Sequence, residues 1–209
     1  MLRVGLTGSI AVGKSFVSGV LAELGCRVLD ADDTAREVVL PGSPALREVA
    51  AKFGSEILLS DGSLNRSKLG ALVFADSDQR LTLNSILHPY IIAAQDKRLR
   101  EWELEDPDGI AVVDAALMIE SGGYKRFDKL IVVHCRAEVQ LERAMIRNNL
   151  TREEAQARIA AQMPQEEKMK FADYLIDTSD GFDAARKTTA DVYAKLRADL
   201  QQQEGIETG

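Results

Sequence analysis

Gly8-Ser9-Ile10-Ala11-Val12-Gly13-Lys14-Ser15 is the stretch on which the reading of the whole chain turns. It fits G-x-x-x-x-G-K-[ST] without a mismatch. Before it lies a short apolar run, Arg3-Val4-Gly5-Leu6-Thr7, which predicts a buried strand. After it, Phe16, Val17, Val20, Leu21 and Leu24 recur at helical spacing until Gly25 stops the helix. Strand, loop and helix in that order form the setting in which this motif holds phosphate. Gly8 and Gly13 let the backbone turn so that successive N–H groups face inward as an anion nest. The new helix aims its N-terminus at the same point. Lys14 supplies a mobile cation for β- and γ-phosphates, and the Ser15 hydroxyl suits a hard Mg2+ ion. The expected triphosphate set is Gly8, Ala11, Val12, Gly13, Lys14, Ser15 and Phe16, with Phe16 offering its N–H while its ring packs.

Working outward, strand and helix patterns alternate. Arg27–Asp30, Ile110–Asp114, Leu130–His134 and Tyr174–Asp177 read as four further strands. Continuous apolar strands separated by helices imply an α/β fold with a parallel sheet covered on both faces. The spacing is uneven, and two excursions stand out. The first, after Asp30, reads as mostly helical: Ser43-Pro44 is a cap with proline at the first helical position. Asp78 opens a helix to Leu87, His88-Pro89 interrupts it, Ile91 resumes it, and Asp106-Pro107-Asp108-Gly109 is a loop. The second excursion runs from Arg143 to Phe171. There Thr151-Arg152-Glu153-Glu154 is a capping box, and Met163-Pro164 ends the helix. A surface helix from Asp183 to Gln203 closes the chain, fraying over Glu204–Gly209. The expected divisions are a core of residues 1–31, 110–142 and 172–209, a helical domain of 32–109 and a lid of 143–171.

Composition narrows the function classes. The 209 residues carry a net charge of −7, with 45% apolar and 28% charged residues. That suffices for a folded core and excludes a disordered or collagen-like chain. An acidic balance argues against nucleic-acid binding. No run approaches the roughly 18 apolar residues of a spanning helix, and the N-terminal run is too short for a signal peptide. Two cysteines, Cys26 and Cys135, read as buried reduced thiols, and with only two histidines a structural zinc site is not expected. A cytosolic protein is expected, as a monomer or a weak homo-oligomer.

Chemistry concentrates at the strand ends, because ligands of open α/β sheets lie beyond the carboxyl ends of the strands. Strand two ends in Asp30-Ala31-Asp32-Asp33. Alternation places Asp30 and Asp32 on one side. A carboxylate there can take the proton of a hydroxyl that attacks a γ-phosphate, which makes Asp32 the candidate base. Asp33 is the expected cap of the following helix. Asp114 ends strand three and is a possible metal acid, while Glu120 either faces the cleft or solvates a turn. Arg143 and Arg147, four apart, share a helix face from which they can close over a triphosphate. Their alternative is a solvated face paired with Glu138 and Glu142, the reading preferred for Arg152 and Arg158.

Taken together, these residues resemble the dephospho-coenzyme A kinase family over nearly the whole length. Besides the N-terminal phosphate loop, the matching elements are Val28-Leu29-Asp30-Ala31-Asp32 with Ala35-Arg36, Gly62-Ser63-Leu64-Asn65-Arg66 with Leu69, and Leu87-His88-Pro89. Further on come Leu117-Met118-Ile119-Glu120, Gln140-Leu141-Glu142-Arg143 with Arg147, Arg158-Ile159 with Gln162, and Ala172–Asp177. The resemblance implies a P-loop core of five parallel strands, an inserted helical coenzyme A-binding domain and a lid. It implies transfer of the ATP γ-phosphate, with Mg2+, to the ribose 3′-hydroxyl of dephospho-coenzyme A. On this chain it puts catalysis on Asp32, Lys14 and Arg143, and nucleotide binding on the loop and Arg147. Acceptor binding falls on Asp30, Arg66, His88 and Glu120. Ala11 and Val12 stand where the family favours glycine and serine, Phe16 where it favours threonine, and Ala116 where it favours proline. Another small-molecule P-loop kinase would share loop and lid without the Asp-Ala-Asp and Leu-His-Pro elements. A guanine-nucleotide switch would carry Asn-Lys-x-Asp, and this chain does not.

Overall fold

Five short strands form one sheet in the order β2-β3-β1-β4-β5: β1 (Leu2–Gly8), β2 (Arg27–Asp30), β3 (Ile110–Asp114), β4 (Lys129–His134) and β5 (Tyr174–Asp177). The computed structural model describes residues 1–207. β1 lies parallel to β3, with Leu6 opposite Asp114, and parallel to β4, with Gly8 opposite Val133. β4 and β5 are also parallel, with His134 opposite Asp177. All of β3 and the middle of β4 are buried, as expected of strands covered on both faces. Val17 and Leu21 of α1 (Lys14–Glu23) and Val192, Leu196 and Leu200 of α9 (Phe182–Glu207) pack on the sheet with Leu2, Val4 and Leu6. The central β1 has β3 on one side and β4 on the other, so the chain changes direction across the sheet beside the end of β1. That crevice is where an open α/β sheet takes its ligand.

Met1–Leu29 and the chain from Trp102 onward form one compact unit, and Asp30–Glu101 forms a second. The second unit is built from α2 (Ala31–Glu37), α3 (Pro44–Phe53), α4 (Arg66–Ala75) and most of α5 (Ser77–Glu105). Its core joins Val49 of α3, Ile57 of the short 3-10 turn Ser55–Ile57 and Leu69 of α4 to Leu83, Ile86 and Leu87 of α5. Ser43 caps α3 at Leu46 N–H (3.2 Å), with Pro44 in the first turn, as the sequence predicts.

Five local expectations are corrected. Asp30, not Asp33, caps α2: its Oδ1 accepts from Asp32 N–H at 2.7 Å and Asp33 N–H at 3.3 Å. Helix begins directly at Ala31, so strand alternation does not extend to Asp32, and Asp33 instead pairs with Arg36 one turn on, at 2.7 Å. His88-Pro89 does not interrupt α5, which runs unbroken from Ser77 to Glu105. Proline removes one backbone bond, but Leu83, Ile86, Leu87 and Tyr90 dock on the α3 and α4 cores on either side of it. Tyr90 adds a bond to Glu48 at 2.9 Å. α5 is started by Asp76, which accepts from Asp78 and Gln79 N–H, rather than by Asp78. Finally, α9 continues through Glu207. Of the expected frayed tail, 208 and 209 lie outside the described residues.

In the first unit the remaining helices are α6 (Ala137–Asn148), α7 (Arg152–Ala160) and α8 (Gln165–Met169). The capping box at Thr151 and Glu154 is present. Cys26 and Cys135 are buried and unpaired. Burial pushes the Cys26 thiol up to about 12. Among the described residues no helix is long and apolar enough to cross a membrane.

Candidate active site

The phosphate loop leaves the carboxyl end of β1 and enters α1. Gly8 is needed because a Cβ there would stand 2.6 Å from the Val133 carbonyl oxygen of β4. Gly13 has φ 89°, a left-handed conformation, and packs against Thr178. Between them the N–H groups of Ala11, Val12, Gly13, Lys14 and Ser15 make no hydrogen bond with the described residues. These are the amides from which the sequence motif predicts an anion nest. Phe16 differs in detail. Its N–H donates to the Gly13 carbonyl at 3.0 Å, and its ring packs on Phe182 with centroids 4.8 Å apart. The Arg186 guanidinium lies 5.7 Å from the same ring.

Lys14 Nζ forms an ion pair with Asp114 Oδ1 at the end of β3. Asp114 is only 4% exposed and Lys14 19%. The two residues that the motif and the strand-end pattern single out separately are therefore one charge pair. Ser15 is exposed, with its hydroxyl free among the described residues.

α6 brings Arg143 and Arg147 to the same end of the sheet. Arg143 spans Thr178, donating to its Oγ1 at 2.9 Å and its carbonyl at 2.8 Å. Thr178 in turn donates from Oγ1 to the Val12 carbonyl at 2.6 Å. Thr178 is thus a strut from α6 to the phosphate loop, with no signal in the sequence reading. Its partners lie far away in sequence, and a lone threonine after a strand carries no signal of them. Arg147 is exposed. A cavity of about 310 Å³ is lined by Ala11, Gly13, Phe16, Arg143, Ile146, Arg147, Thr178, Gly181, Phe182 and Ala185. Its walls are mostly apolar and include Arg143 and Arg147, a lining that suits a flat aromatic base joined to anionic phosphates. Arg152 and Arg158 remain on a solvated face.

Glu120 is held from inside its own unit. Its Oε1 accepts from Lys168 Nζ at 2.9 Å and from Met163 N–H at 3.3 Å. Lys168 has no exposure and also donates to the Ala116 carbonyl at 2.8 Å. Nothing in the sequence marks this lysine as buried. Burying an ammonium requires such partners, but a lysine in a charged helical stretch looks like any solvated one.

The remaining candidates belong to the second unit. Asp30 is engaged as the cap of α2. Asp32 is exposed, and among the described residues nothing engages its carboxylate. Arg66 opens α4 and reaches the Arg36 carbonyl at 3.4 Å, while His88 is exposed on α5.

A parallel sheet, a G-x-x-x-x-G-K-S loop with unpartnered amides at the end of β1 and arginines on a flanking helix define a P-loop kinase. The chain belongs to the dephospho-CoA kinase family, whose profile matches residues 2–183. The dephospho-CoA kinase of Geobacillus kaustophilus is 44% identical over 208 residues, covering 99% of this chain and 98% of that one. That of Carboxydothermus hydrogenoformans is 43% identical over 194 residues, covering 93% and 94%. A solved dephospho-CoA kinase from Campylobacter jejuni superposes with TM-score 0.64 at 26% identity, covering 93% of this chain and 96% of that one.

Proposed function

We propose that this chain transfers the γ-phosphate of ATP to the ribose 3′-hydroxyl of dephospho-coenzyme A, the last step of coenzyme A synthesis. The observation that carries this reading is the run of unpartnered amides from Ala11 to Ser15, in a chain related along its whole length to kinases of that name. The amides and Lys14 bind the phosphates, and the cavity beside Phe16 and Arg147 takes the base. Arg143 stabilises charge on the transferring group. Asp32 takes the hydroxyl proton, its free carboxylate being suited to a base. Asp30, Arg66, His88 and Glu120 bind the acceptor, with residues 32–109 as the acceptor-binding domain and 143–171 as the lid.

The donor set fits Mg2+. The Ser15 hydroxyl and the Asp114 carboxylate are hard oxygens, and no cluster of three acidic, His or Cys side chains competes among the described residues. Mg2+ characteristically takes one or two protein oxygens and completes its shell with water and phosphate. When bound it neutralises charge on the β- and γ-phosphates. Unpaired Cys26 and Cys135 suit a reducing cytosol.

The test is direct. The purified protein is incubated with ATP, Mg2+ and dephospho-coenzyme A, and ADP and the acceptor product are followed by chromatography and mass spectrometry. The expected product is heavier by one phosphoryl group, at the 3′-position. ADP release no faster than in the acceptor-free control, or release driven instead by a nucleoside monophosphate or a sugar, overturns the proposal.

A further inference from the structure

Ile10 sits at the lip of the phosphate loop, and glutamine side chains grip both of its backbone polar groups. Its N–H donates to Gln162 Oε1 at 2.8 Å, and its carbonyl accepts from Gln140 Nε2 at 2.8 Å. Gln140, on α6, is 2% exposed. Its Oε1 accepts from Gln165 Nε2 at 2.8 Å, and Gln165 Oε1 accepts from Cys135 N–H at 3.0 Å. The orientation of every amide is dictated by the ends of this chain of bonds. A backbone carbonyl at Ile10 demands a donor, a backbone N–H at Cys135 demands an acceptor, and each glutamine between can then point only one way. Ser9 Oγ adds a longer bond, 3.4 Å, to the Met163 carbonyl.

The next residue shows what such a grip is for. Ala11 has φ 62°, the left-handed region in which a Cβ crowds the following carbonyl. For a non-glycine residue that conformation is disfavoured roughly tenfold or more. Strained backbone persists only where its surroundings over-determine it. Ala11 is also the first of the five free amides of the nest. If it relaxed, the amides beyond it would no longer converge.

We propose that Gln140, Gln162 and Gln165 are positioning residues that clamp Ile10 and so hold Ala11 in its left-handed conformation, keeping the nest in its anion-binding shape. The clamp acts through backbone geometry and touches no phosphate. It deepens the reading of the loop as the ATP site and stands on that reading. The two are separable, because failure of the parent protein to bind ATP would refute the site itself.

The experiment compares Gln162→Met, Ala11→Gly and the double variant by calorimetric titration with ATP, alongside melting without added nucleotide. Methionine keeps about the volume of the half-buried Gln162 and removes its amide, and with it the acceptor for Ile10 N–H. Gln162→Met is expected to weaken ATP binding by about three- to tenfold, with the melting temperature nearly that of the parent. Glycine adopts positive φ freely, so the double variant is expected to bind ATP within about twofold of Ala11→Gly alone. Two results overturn the proposal: parental ATP affinity in Gln162→Met, or the same loss from Gln162→Met in the glycine background as in the alanine one. Should Gln162→Met fail to fold, Gln165→Met breaks the relay two links from the loop, and the same comparison with Ala11→Gly decides.

Discussion

Replacing Lys14 by methionine removes the motif cation and keeps most of its stem, and the structure gives that change a second consequence besides loss of transfer. Asp114, 4% exposed, loses the ammonium that neutralises it. Deleting one partner of a buried pair costs about 3–5 kcal/mol. Lys14 is 19% exposed, so water can reach the gap, and Asp114 retains a further interaction. The low end, about 3 kcal/mol, therefore applies. At roughly 2–4 °C per kcal/mol for a chain of this size, the melting temperature should fall by about 6–12 °C. Adding Asp114→Asn removes the stranded charge and should recover most of that loss while transfer stays abolished. Thermal melts of the four proteins, with ADP release measured in parallel, complete the cycle. A Lys14→Met protein that melts with the parent, or a double variant no more stable than the single one, refutes the pairing as the source of the cost.

Asp32→Asn should lower turnover by about 10²–10⁴-fold with ATP affinity near that of the parent, and a loss confined to nucleotide affinity would remove Asp32 from the role of base. Thr178→Val strands the Val12 carbonyl and one arm of Arg143, for a cost of about 2 kcal/mol that melting would show as a fall of about 4–8 °C. Thr178→Ser, which keeps both bonds, should melt close to the parent. At Asp177 burial works upward, but N–H and O–H donation from Ser179 and the nearby His134 and Arg136 charges hold the carboxyl below its ordinary 3.8. Its contribution to stability is complete above the unfolded value and is lost as the pH falls through the folded one. Ser179→Ala should move acid unfolding, followed by circular dichroism, to higher pH.

What could be read in advance was what is decided locally. β2, β3 and β5 fall where their aliphatic runs fall, residue for residue, and the phosphate loop is legible because its chemistry depends on near neighbours in sequence. The Asp30 cap is ambiguous in the sequence for a local reason too: three acids in four positions can each cap a helix, and the choice turns on whether the strand ends at 30 or runs on to 32. Pro89 shows a tertiary override. The penalty for proline is real, but apolar side chains before and after it are held by two other helices, so one lost bond does not break α5. The interactions that were illegible all join distant positions: Thr178 with Val12, Lys168 with Glu120, Gln162 with Ile10. Gln140 carried the best available hint, being a neutral amide one helical turn before Arg143 in the family-like lid segment.

Lys14 and Arg143 are the cations proposed for the triphosphate, and both already have protein partners of opposite polarity: Asp114 for one, the Thr178 oxygens for the other. A phosphate chain entering the nest must compete with those partners for the cations. Binding then exchanges one set of charge-assisted bonds for another, and the net affinity is the difference between them. The five amides face no such competition, since nothing in the described chain engages them. Backbone recognition should therefore set the floor of ATP affinity, and the lysine should add less than its charge alone would give. Asp114→Asn tests this, because it weakens the competitor and leaves the cation in place. Measured by calorimetry in the presence of a chelator, so that no divalent ion contributes, ATP should bind this variant about three- to tenfold more tightly than the parent, on the scale of one charge-assisted bond relaxed to a neutral one. Equal or weaker binding would mean that Asp114 does not restrain Lys14 and that its carboxylate supports the nest in another way.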